Sequence, residues 1–138
     1  MSKQVLDRNQ MEHLCELGID TTQATMCWIK QHDDDGTSKD ILCMHDEFCY
    51  EFSSLDPEPT FTLQDILDLL PQETSPQGTG YSLYIDYQEM RIAYCFVDRD
   101  GMCWLEPTFD LRDNELIDAA YEMLCWCIEN GYVRTGSN

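Results

Sequence analysis

The stretch that most constrains this chain is ELIDAAYEMLCWCIEN, Glu115 to Asn130. At 100° per residue, Leu116, Ile117, Ala120, Tyr121, Leu124, Cys127 and Ile128 fall on one broad arc of a helix, and Ala119 and Met123 widen it past half the circumference. What remains is a narrow seam of Glu115, Asp118, Glu122 and Glu129, with no basic residue in the helix. A helix this apolar must lie in a groove with protein on most of its sides. The rest of the chain is therefore expected to form one domain over residues 1–138, wrapped around this spine.

The preceding elements read in order. Asp7 or Asn9 is placed to cap a short first helix with an apolar stripe of Met11, Leu14, Cys15 and Leu17, ended by Gly18. Residues 25–31 predict a strand with Met26 and Trp28 on one face and Cys27 and Ile29 on the other. A hairpin turn follows at Asp35-Gly36. The return strand starts near Ile41, and its even positions Leu42, Met44, Phe48, Tyr50 and Phe52 make the apolar face, with a bulge or bend expected at Asp46. Pro57 and Pro59 predict an unpaired loop. Thr62 and Asp65 form a capping-box pattern ahead of Leu63, Ile66, Leu67 and Leu70, and Pro71 stops that second helix. Residues 72–80 read as a flexible connection and 134–138 as a frayed tail. Between them come three strands at 81–87, 91–97 and 102–106, the last two joined at Asp100-Gly101. Asp110 or Asp113 is the expected cap of the final helix and Gly131 its terminator. The order α-β-β-α-β-β-β-α with hairpin-length loops predicts an α+β domain. Its sheet is a single antiparallel one of five strands, with helices chiefly on one face around the buried C-terminal helix.

Charge narrows the function classes. Twenty-seven Asp and Glu face eight Lys and Arg, a formal net charge of -19. Such a surface repels nucleic acid and anionic membrane and attracts basic partners. No Gly-rich phosphate loop and no basic patch are present, so direct nucleotide and nucleic-acid binding are disfavoured and no cofactor is expected. No run approaches the ~18 apolar residues of a membrane span, and the opening MSKQVLDRNQ lacks the apolar core of a signal peptide. The eight cysteines are then expected to be reduced cytoplasmic thiols serving as small core hydrophobes.

Two constellations carry chemistry. The seam Glu115, Asp118, Glu122 and Glu129, with Trp126 at its boundary, is a candidate interaction surface. Its carboxylates recur at about 4.5, 6 and 10.5 Å along the helix axis, spacings that could imitate duplex phosphates; a merely solvated face explains the same seam. Cys43, His45, Glu47 and Cys49 form a weaker alternative, a metal or acid–base site, because Cys43, His45 and Glu47 share one strand face. It lacks a fourth ligand and a partner nucleophile. The DDDG and DRDG turns are not calcium loops, since counting back from Gly36 puts Gln31 and Leu42 at ligand positions 1 and 12.

At MCWIK (26–30), HDEFCYE (45–51), PTFTLQDILDLLP (59–71) and LIDAAYEMLCWCIENGY (116–132) the sequence resembles small uncharacterised acidic proteins encoded by phages and integrated mobile elements of gut anaerobic bacteria. The likeness covers the first half and the last helix, not residues 72–110. It implies a cytoplasmic, mobile-element-associated setting and no activity. The expectation is a non-enzymatic module that engages a basic host or phage protein. The alternatives are a small metal-dependent or hydrolytic enzyme at Cys43, His45, Glu47 and Cys49, and a self-associating structural protein. The oligomeric state is left open.

Overall fold

The last helix, α3 (Leu116–Glu129), takes its place as the spine in the computed structural model, which describes residues 3–46, 56–112 and 114–135, the side chain of Gln77 excepted. Ile117, Ala119, Ala120, Met123, Leu124 and Cys127 are buried along it. Before it come α1 (Arg8–Glu16), β1 (Met26–His32), β2 (Ser38–Met44), β3 (Glu58–Thr60), α2 (Leu63–Leu69), β4 (Glu73–Thr74), β5 (Tyr81–Asp86), β6 (Arg91–Asp98) and β7 (Gly101–Asp110). The α+β class is as expected. α3 packs on β6, β7 and α2, and its buried residues join Leu6, Met11 and Leu14, Phe61, Ile66 and Leu70, and Ile92 and Tyr94 in one core. The Tyr94 hydroxyl donates to the Pro71 carbonyl at 2.7 Å and accepts from the Cys127 thiol at 3.6 Å, so the phenol is satisfied inside that core.

Both ends of α3 have local causes. Glu115 occupies the N-cap position without a side-chain cap bond, while Asp110 closes β7 and accepts instead from the Arg112 amide. The expected Asp110 cap is thus replaced; Asp113 lies outside the described residues. At the other end Gly131 adopts φ +80°. The Tyr132 amide then donates to Cys127 and the Gly131 amide to Ile128, the paired bonds of a Schellman motif. This turn carries Tyr132 back onto Trp126, ring centroids 5.5 Å apart.

The strands form two antiparallel sheets, β2-β1-β3 and β4-β5-β6-β7, rather than one of five strands. Two short strands make the difference. β3 pairs with β1 (Met26↔Thr60) despite Pro59, which an edge strand tolerates because one row of its N–H groups needs no partner. β4 pairs Thr74 with Tyr81 and buries Thr74, so the expected flexible connection is in part a paired strand. The second sheet's β6 is covered on both faces: Ile92, Ala93, Tyr94 and Cys95 are all buried.

In the β1–β2 hairpin the register is Cys27↔Cys43 and Ile29↔Ile41, and these odd positions pack together. The even-numbered face expected to be apolar is the outer one on β2: Met44 is 56% exposed. One face of β1 is shared with Trp28 and Leu42, so hydrophobicity alternates weakly there and period 2 does not choose the side. Phe48, Tyr50 and Phe52 lie outside the described residues. Asp46 sits at a bend just past the end of β2, as expected.

α1 carries a full capping box, the Asp7 carboxylate accepting from the Gln10 amide while the Gln10 side chain accepts from the Asp7 amide, and Gly18 has φ +95° beyond its end. Met11 and Leu14 are buried, but Cys15, expected in that stripe, is exposed. α2 repeats the box with Thr62 and Asp65. Ahead of α1, Leu6 is wholly buried: its amide donates to Phe61 and its carbonyl accepts from the Thr60 hydroxyl at 2.7 Å. No described helix is long and apolar enough to cross a membrane.

Candidate functional site: an acidic face with two recesses

The carboxylates singled out on α3 divide into two groups. Glu115 accepts the Lys3 backbone amide at 2.7 Å, and Asp118 accepts the Lys3 ammonium at 2.7 Å and the Gln10 amide group at 2.9 Å. Burial raises the Asp118 carboxyl, but the Lys3 and Gln10 bonds outweigh it and hold the group below the usual range. These two residues clasp the N-terminal segment. Glu122 and Glu129 are exposed and flank Cys125, whose thiol is pushed up by burial and by those two charges, against a lowering bond from Tyr121. Trp126 is half-buried, stacked between Tyr132 and Tyr94. The seam is therefore not a continuous free row, and its aromatic is packed against its own fold.

Of the weaker constellation, Cys43 lies on β2 with its sulfur 3.6 Å from that of Cys27, and the His45 ring nitrogen Nδ1 is 3.1 Å from the Ala24 carbonyl. Glu47 and Cys49 lie outside the described residues. Among the described residues no group of three or more His, Cys, Asp or Glu is arranged to hold a metal.

Recessed surface also lies away from these constellations, between α1, β1 and β3 and along α2. A recess of about 430 Å3 is floored by Trp28, Met11, Pro59 and the buried Pro57 and Thr60. On α1 the residues Arg8, Met11, Glu12 and Cys15 follow the i, i+3, i+4, i+7 rule, so one helix face supplies a wall. Trp28 reaches the floor because strand alternation sends it away from Cys27 and Ile29. The rim carries Glu12, Asp56 and Glu58. Its one cation, Arg8, donates through Nε to Glu58 at 2.6 Å and through Nη2 to Asp40 at 3.0 Å, and these bonds raise the guanidinium further.

A second recess of about 210 Å3 lies along α2 and the segment that follows α1. Its lining includes Asp20, Asp65 and Asp68 around Phe61, with no basic residue among the described ones. Asp65 accepts from the Thr25 hydroxyl at 2.6 Å, the Thr25 amide at 3.0 Å and the Thr62 amide at 2.9 Å. Burial raises its carboxyl, yet these donors together bring it below the usual range. Asp20 is lowered by the Thr22 hydroxyl, then by the Thr22 amide, so both groups stay ionised at neutral pH.

Six carboxylates thus line the two recesses, and Arg8 of the first is the one guanidinium among the described residues of either lining. Chemically this surface offers negative charge around an apolar floor. Sequence reading missed it because Glu12, Asp20, Asp56, Glu58, Asp65 and Asp68 come from five separate segments. The α1 periodicity of Arg8, Met11, Glu12 and Cys15 is the one local sign of it. Scans of family models, curated proteins and solved structures find no match to this chain.

Proposed function

We propose that this protein is a non-enzymatic interaction module whose acidic face engages a basic protein surface, in the phage or mobile-element setting that its sequence resemblance implies. The observation that supports the reading is the lining of the two recesses: among the described residues, six carboxylates and one guanidinium already held by Asp40 and Glu58. Such a surface steers a cationic partner and weakens with salt. The test compares binding of a fluorescent lysine-rich peptide at about 0.05 and 0.5 M salt across two charge-matched variants. One neutralises Glu12, Asp20, Asp56 and Asp68; the other neutralises Asp33, Asp34, Asp98 and Asp100 at the hairpin turns. The first should lose most of the affinity and the second little. Equal losses, or affinity indifferent to salt, would defeat the proposal.

Self-association is the second reading, favoured by a specific feature of the second sheet. Tyr84, Val97 and Met102 are exposed on its outer face beside Trp104, over which the Arg91 guanidinium lies 3.8 Å from the ring centroid. Sizing across a range of protein concentrations tests it: a monomer at every concentration eliminates self-association through this face.

A further inference from the structure

We infer that the Trp28 recess seats a linear peptide segment of the basic partner, one in which a single apolar side chain is flanked by Lys or Arg. The inference rests on the reading above and names the part of the partner that is bound. The volume of about 430 Å3 falls in the range of ligand pockets, about 300–1,000 Å3. Among the described residues, the hydroxyls that line it are already engaged. The Thr60 hydroxyl donates to Leu6, and the Cys15 and Thr21 side chains contact each other at 3.5 Å. Trp28, Met11 and Pro59 offer apolar area and shape. Charge is confined to the rim, where Glu12 and Asp56 belong to no ion pair among the described residues, and Glu58 is shared with Arg8. An apolar side chain in the hollow would place its neighbouring basic residues over those carboxylates. A second copy of this chain, at -19, would instead bring its own acidic surface against them.

Two fluorescein-labelled lysine-rich peptides of equal charge test the inference, one with a central Leu and one with Gly in its place. The Leu peptide should bind about tenfold more tightly. That advantage should vanish in Trp28→Ala and in Cys15→Phe, whose exposed helix position blocks the hollow while leaving the core intact. The Gly peptide should bind both variants as it binds the native protein. Bound Leu peptide should also slow alkylation of Cys15, which lines the recess, and leave the exposed Cys103 on β7 unaffected. If Leu and Gly peptides bind equally and both respond to neutralised carboxylates, the acidic-face reading stands and the recess inference falls. If neither peptide binds, both fall. Protection of Cys15 by raised protein concentration alone would make a second copy the occupant and overturn the inference.

Discussion

Replacing Asp65 by Asn tests whether one carboxylate both ties the fold and charges the second recess. Asp65 takes three bonds from Thr25 and Thr62 and completes the α2 capping box. Both amides bond one oxygen, Oδ2, and the Thr25 hydroxyl bonds the other. An Asn whose oxygen takes the Oδ2 place therefore keeps both amides and meets the Thr25 hydroxyl with its NH2; what the substitution removes is the charge behind those bonds. Charge-assisted bonds of this kind contribute about 1.5–3 kcal/mol when buried. The site is only partly covered, which scales the expected loss to about 1–2 kcal/mol. For a chain of this length that lowers the melting temperature by about 3–7 °C. The pH dependence has a definite sign. The folded carboxyl lies below its unfolded value, so its stabilisation is complete above about pH 4–5 and is lost as pH falls through the folded pKa. Melting curves of native and Asp65→Asn protein should therefore differ at pH 7 and converge on acidification toward pH 3. A gap that stays constant over that range, or no gap at pH 7, would refute the role given to the charge.

Other substitutions probe the spine and its surroundings. Met123→Ala should cost about 2–5 kcal/mol in urea unfolding, because Met123 is fully buried on α3, whereas the exposed Met102→Ala should stay within about 0.5 kcal/mol. Tyr94→Phe should cost about 1–2 kcal/mol by leaving the Pro71 carbonyl without its donor, and the measured loss should not depend on salt. Native-state alkylation near pH 8 should modify the exposed Cys15 and Cys103 first. Cys127 should resist until unfolding, since burial pushes its thiol up to about 11 against a lowering bond to Tyr94.

Much of the fold was legible because it is written in local periodicity. The α3 arc, the Thr62–Asp65 capping box, the glycine stops and the Asp35-Gly36 and Asp100-Gly101 turns each need only a few neighbouring residues, whereas the first helix left its cap open between Asp7 and Asn9 and its box with Gln10 unread. What was not legible depends on pairing across the chain. Glu58–Thr60 is too short and too proline-rich to announce a strand, yet β1 offers it an edge. Val5 and Leu6 are two adjacent apolar residues with no period, so nothing marked them as core. The candidate surface divided the same way. Helical spacing revealed that Glu115, Asp118, Glu122 and Glu129 share a seam, but not that Lys3 would occupy half of it. Conversely, the recess carboxylates carry no mutual pattern until α1, β3 and α2 converge.

The clasp between the first residues and the last helix also bears on the order of folding. The α3 residues that share the core of Leu6 and bind Lys3 are made more than a hundred positions after them. Until then the leading segment has only its partners before α3, such as Thr60 and Phe61, to hold it. Native topology is therefore reached only after α3 has been made, and the long separation of these contacts favours slow closure over rapid local assembly.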